Sequence, residues 1–222
     1  MREAPHPFCL ILPMFFFQEP DVRSQLKAIG RAVLMLFVLA AGVAFLFFIF
    51  WWEIMLEESF RETSPTEITQ TVLLAATSGL FFLEAFRRAE LRHALVLVGG
   101  FFGCMLIREQ DHFLDAIQHG CWVYPALALA GVCIAYACTN IRQAIFGLER
   151  FVRWKNFPFL LIGLVIVLAY SRLFGMGHFW KLLLGDGFSY TAKACMEESS
   201  ELLGYLFIFV SAVLANTDKH LR

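Results

Sequence analysis

Two apolar runs, residues 94–107 and 202–215, are each fourteen residues long and each has a cluster of ionisable groups at one end. At a rise of ~1.5 Å per residue a helix built on either covers only ~21 Å. A bilayer hydrocarbon core is ~30 Å thick. Either run therefore crosses only if its flanking charges lie at or inside the hydrocarbon edge, where they are costly and need partners. The first run is followed by Arg108, Glu109, Asp111 and His112, with Asp115 one turn further on. The second is preceded by Glu197, Glu198 and Glu201.

The remainder of the chain makes a membrane setting hard to avoid. Hydrophobic residues make up 59% and charged residues 17%, against ~25% charged in soluble domains. A soluble domain of 222 residues could not hide 25 Phe along with this much other apolar surface. The expected fold is all-α, a polytopic membrane protein. A net charge of −1 with no basic run excludes nucleic acid as a partner. The cysteines show no Cys-x-x-Cys spacing, so a zinc ribbon is unsupported. Cys121 and Cys195 are a candidate disulfide if both face an oxidising compartment.

Residues 1–31 read as a cytoplasmic or interfacial segment, whose apolar patch 8–17 is broken by Pro13 and is followed by no small-x-small cleavage pattern. Residues 32–216 read as a six-helix bundle, with spans at 32–52, 68–86, 94–107 with its charged end, 121–139, 157–174 and 192–215. Residues 217–222 are a tail. Ser64-Pro65-Thr66-Glu67 is a helix start, with a Ser cap, Pro at the first helical position and Glu at the third. Residues 140–156 suit an amphipathic helix lying in the interface, and 175–191 a polar loop. Thirteen of the 18 Lys and Arg fall on the side of the two termini, which predicts both ends cytoplasmic in a bacterial inner membrane.

That topology gathers the acids at the outer face. Glu53/Glu57 and Glu197/Glu201 are four apart, and Glu109/His112 and Glu198/Glu201 three apart, so each pair shares a helix face if the helix is continuous. So many carboxyl groups near lipid must be protonated, paired with Arg108 or Arg61, or neutralised by a cation. Glu-x-x-His beside carboxylate pairs on neighbouring helices is the donor set of di-metal bundles. Glu109, His112, Glu198 and Glu201 are the candidate ligands for a divalent ion, Zn, Mn, Fe or Ca. Glu109, His112 and Glu201 are candidate acid–base groups, and Arg108, Asp111 and Asp115 candidate substrate contacts. His-Glu-x-x-His and Gly-x-Ser-x-Gly are absent.

Three readings are compatible with this pattern. The chain binds a divalent cation and acts on a lipid or isoprenoid, or it is a non-catalytic membrane-complex subunit held by an arginine–carboxylate network, or it is a small proton- or cation-coupled carrier. Besides the bilayer, the expected partner is another helix or a second copy docking on the small face of Gly99 and Gly103.

Overall fold

The structure, a computed structural model, describes residues 22–55, 64–115 and 118–218, the side chain of Asp115 excepted. The expected interfacial segment 8–17, with Glu57 and Arg61, lies outside the described residues, which hold helices and turns and no strand. The helices are α1 (Val22–Met55), α2 (Pro65–Arg87), α3 (Arg92–Glu109), α4 (Asp111–Asp115), α5 (Val123–Cys138) and α6 (Ile141–Val152). Next, α7 (Phe157–Val165) passes through a π-helical turn (Ile166–Tyr170) into α8 (Ser171–Phe174), followed by α9 (Gly177–Leu184) and α10 (Tyr190–Thr217).

Four passages are long and apolar enough to cross a membrane: α1, α2, Phe157–Phe174 and α10. A fifth exists if α5 and α6, bent by 106°, form one broken span. Helix α3 does not qualify alone because its 18 residues include Arg92, Arg108 and Glu109.

The chain divides into two compact units at Ala41/Gly42. In the first, the α1 residues Leu34, Phe37 and Val38 are exposed, as on a helix whose solvent is lipid. The second holds the bundle. The α1 residue Glu53 is fully buried and brings its Oε2 to the start of α2, where it accepts from the Thr66 N–H (3.3 Å) and the Thr66 hydroxyl. A carboxylate suits that place because the first N–H groups of a helix lack partners and its dipole favours an anion. Ser64 caps the same turn by accepting the Glu67 N–H at 3.2 Å, and Pro65 opens the helix.

Helix α2 packs on α3, α3 on α5, and α10 on α2 and α7. Phe81 of α2 stacks on Phe102 of α3 (centroids 5.6 Å apart) and meets Phe151 of α6 edge-on (5.7 Å). Glycines set the closest approaches. A Cβ on Gly163 would stand 2.7 Å from the Gly204 carbonyl oxygen, and one on Gly204 would stand 2.5 Å from Val167. The backbones of α7 and α10 thus touch with no side chain between them.

Several expectations change. The small face of α3, expected to receive a partner, is filled from within: a Cβ on Gly99 would meet Phe82 at 3.2 Å, and one on Gly103 would meet Leu129 at 2.7 Å. Cys121 and Cys195 are free thiols, since Cys195 is on α10, which packs on α2 and α7, while Cys121 precedes α5, which packs on α3. The stretch 175–191, expected as a loop, contains α9, held where Trp180 Nε1 donates to the Phe174 carbonyl at 2.6 Å and Phe174 packs on Phe179. Helix α6 buries Ala144, Gly147 and Phe151 and exposes Ile141, Ile145 and Phe146, an apolar outer edge.

Gly163→Val should lower stability by ~1–3 kcal/mol, the usual cost of overpacking. Thermal unfolding in detergent would show it, with Gly131→Val, whose Cβ meets nothing within 4 Å, as the neutral control.

Candidate functional site: a polar cavity at the acidic end of the bundle

Helices α2 and α3 run antiparallel across a short turn, so the start of α2 and the end of α3 share one end of the bundle. The Arg88 guanidinium donates to the Ala215 carbonyl at 2.9 Å, which places the end of α10 at the opposite, basic end. The first turns of α10 therefore lie with Glu67 and Glu109. A cavity of about 200 Å³ opens there. Six carboxyl groups line it: Glu67, Glu109, Asp111, Glu197, Glu198 and Glu201. Among the described residues two guanidinium groups, Arg108 and Arg172, face them. A water claims ~30 Å³ of liquid volume, so the space suits a few waters or a small hydrated group.

Glu201 is the most enclosed of the six, at 4% exposure. Its Oε1 is paired with Arg172, which also reaches Glu197 at 3.3 Å. The Ser171 hydroxyl lies 3.3 Å from the same Oε1 and 2.6 Å from the Val167 carbonyl; it has one proton, so it serves one acceptor at a time. Lys193 adds a second cation to Glu197 at 3.0 Å.

Both Ser171 and Arg172 come directly after the π-helical turn, in which the Ser171 N–H bonds to the Ile166 carbonyl five residues back. Each extra residue in a turn rotates the downstream helix by ~100°. That rotation delivers Ser171 and Arg172 to the α10 side.

On the facing helices, Arg108 pairs with Glu109 at 2.6 Å, and Glu109 also accepts from the Tyr205 hydroxyl at 2.7 Å. Tyr205 is 1% exposed, with its ring in the apolar core and its hydroxyl at the floor of the acidic end. Glu198 differs from its neighbours. Its carboxylate accepts from the Gln70 amide at 2.9 Å and, among the described residues, has no cationic partner. Gln70, 2% exposed, also donates to the Glu198 carbonyl at 3.3 Å and so ties α2 to α10. The buried Oε1 of Glu53 has no hydrogen-bond partner among the described residues.

The structure thus brings Glu109, Glu198, Glu201, Arg108 and Asp111 to one cavity. It leaves His112 out. Helix α3 ends at Glu109 and Gln110 is a turn, so Glu109 and His112 do not share a continuous helix face. His112 is exposed and packs edge-on against Phe113. Asp115 ends α4, its side chain outside the described residues. Arg108, expected as a partner for the carboxyl groups, pairs with Glu109, while Glu201 pairs with Arg172. Among the described residues no three His, Cys, Asp or Glu side chains lie close enough to share a metal ion. Glu84, at the basic end, is buried and paired with Arg88 and, at 3.5 Å, with Arg87.

Gln70 completes the site together with Arg172 and Tyr205, which the sequence does not mark as its members. Glu198, Glu201 and Tyr205 do keep an i, i+3, i+7 spacing, so a helical reading of α10 would have joined the tyrosine to the acids. Arg172 carries no such signal, because its direction depends on the π-helical turn. Comparison with known protein families, curated proteins and solved structures gives no match for this chain.

Arg172→Gln should leave the Glu201 carboxylate enclosed with only a hydroxyl beside it. Breaking a fully buried pair costs ~3–5 kcal/mol. Arg172 is 44% exposed, so solvent screening reduces the expected loss to on the order of 1–2 kcal/mol. Adding Glu201→Gln should recover much of it, and a double-mutant cycle of unfolding temperatures in detergent reads the coupling. Additive losses would mean that the two side chains do not pair.

Proposed function

We propose that the chain crosses the membrane six times, through α1, α2, α3, α5, α7–α8 and α10, with both ends cytoplasmic and the acidic cavity at the outer face. Helices α3 and α5, with 18 and 16 residues, are short for crossing at ~1.5 Å per residue. The polar end of α3 then lies at the headgroup boundary, and the 13-to-5 division of Lys and Arg supports the orientation in a bacterial inner membrane.

The function we propose for the cavity is to take up a hydrated divalent cation and, through it, the anionic headgroup of a lipid or isoprenoid. One observation carries this reading: in a cavity rich in carboxyl groups, Glu198 is answered among the described residues by a neutral amide and by no cation. Arg108, Arg172 and the neighbouring Lys193 are engaged by Glu109, Glu197 and Glu201. That leaves an excess of negative charge around Glu198, which a cation would offset. A three-ligand zinc or di-iron centre has no donor set among the described residues. Hard cations such as Mg²⁺, Mn²⁺ and Ca²⁺ need less, since they bind through one or two carboxylates, waters and a substrate phosphate. Glu198 would be the main protein ligand, and Arg108, 38% exposed, would face the headgroup. Bound there, the cation would polarise a phosphoryl or carbonyl oxygen.

The subunit reading draws on a different observation. The Arg172–Glu201–Ser171 and Arg108–Glu109–Tyr205 contacts tie α3, α8 and α10 together without any ligand. The two readings part on a titration. Calorimetry of purified wild-type protein with Mn²⁺ and with Ca²⁺ should show one bound ion per chain, and Glu198→Gln should weaken it at least about tenfold, near the lower end of the effect of losing a support to a metal ligand. Absence of binding by the wild type would overturn the cation reading in favour of the subunit.

A further inference from the structure

At the basic end of the bundle, away from the acidic cavity, α2, α3 and α5 enclose a second space of about 400 Å³. Its walls are apolar: Phe82 and Phe86 from α2, Val96 from α3, and Leu129, Val132 and Tyr136 from α5. Size and lining fall within the range of pockets that hold an apolar ligand with a few polar contacts at one end. The space runs along α5 from Leu129 to Tyr136, ~10 Å by helix rise.

One polar group stands at its mouth. Arg92, the first residue of α3, belongs to its lining. Its Nε donates to the Ala85 carbonyl at 3.1 Å, which fixes the guanidinium at the end of the groove. Its two terminal nitrogens have no acceptor among the described residues, and no carboxylate among them pairs with it. This sets it apart from its neighbours, since Arg87 and Arg88 are both paired with Glu84. His93 comes next in the chain, stacked on Tyr136 with ring centroids 4.9 Å apart, its buried Nδ1 also without a partner among the described residues. A cation with free donors at the mouth of an apolar groove is complementary to an anion attached to a hydrocarbon chain.

We infer that this groove is a binding site for an anionic phospholipid of the leaflet at the basic end: one acyl chain lies between α2 and α5 against Phe82 and Leu129, and the phosphate is held by Arg92. Basic pockets between membrane helices on the cytoplasmic side recognise lipid headgroups in this way. The site requires only that the bundle is in a membrane, and it stands whether or not the acidic cavity binds a cation. Val132, 68% exposed, forms the lipid-facing edge of the groove, so a large side chain there blocks the entrance without disturbing the bundle.

The test is photocrosslinking of full-length protein reconstituted in vesicles that contain phosphatidylglycerol with a diazirine on one acyl chain, followed by peptide mass spectrometry. Wild type should be labelled on the peptides holding Phe82–Phe86 and Leu129–Tyr136 above the level of the exposed α1 helix. Val132→Trp should remove that excess. Arg92→Gln should lower it about fivefold, the scale of one basic side chain's contribution at a membrane surface. A phosphatidylcholine probe with the same chain should give little excess and no dependence on Arg92. Groove labelling no higher than α1, or unchanged in both variants, would overturn the assignment. So would equal labelling by the two lipids.

Discussion

The carboxylate of Glu201 is enclosed to 4% exposure and is answered by Arg172, and much of the bundle is arranged so that this pair can form. A charge in that position is costly unless its partner is held in place. Arg172 is held by the π-helical turn that ends α7, and the turn is in turn held by the approach of α7 to α10 at Gly163 and Gly204. Backbone contact between two helices, a local change of helical pitch and one ion pair are thus a single device. Tyr205 extends it to α3, because its hydroxyl reaches Glu109 from within the apolar core. Gln70 extends it to α2 through both the carbonyl and the carboxylate of Glu198.

The two ends of the bundle treat charge differently. At the basic end Glu84 is matched by Arg88 and Arg87, and Arg92 has no carboxylate partner among the described residues. At the acidic end Arg108 and Arg172 are matched, and Glu198 has no cationic partner among the described residues. Unmatched charges in low-dielectric surroundings mark where an external partner gains most, since the protein supplies the field and the ligand supplies the counter-charge. The proposed cation at Glu198 and the proposed phospholipid at Arg92 obey the same logic with opposite signs.

The all-α membrane class could be read from the sequence because it depends on quantities the sequence states directly: run length, apolar fraction and charge. The start of α2 could be read too, since Ser64-Pro65-Thr66-Glu67 acts within one turn. The deficit in the runs 94–107 and 202–215 pointed to Glu109, Glu198 and Glu201, which the structure gathers around one cavity. The features that could not be read depend on local breaks. The turn at Gln110 separates His112 from Glu109, and the π-helical turn redirects Arg172; neither is encoded by a spacing rule. The small face of Gly99 and Gly103 was legible as a place of close approach. Whether a neighbour in the same chain or a partner would occupy it was not, and Phe82 and Leu129 occupy it.

The proposed orientation and the proposed cation site depend on the acids of α2, α3 and α10 sharing one face of the membrane, opposite the arginines that join α2 to α3. Accessibility to a membrane-impermeant maleimide tests this most directly, in sealed right-side-out and inverted vesicles, with single cysteines read above the background of the native thiols. Glu198→Cys should react only in right-side-out vesicles and Ala89→Cys only in inverted ones. Reaction of both from the same side would contradict the arrangement on which the proposed orientation and the cation site rest.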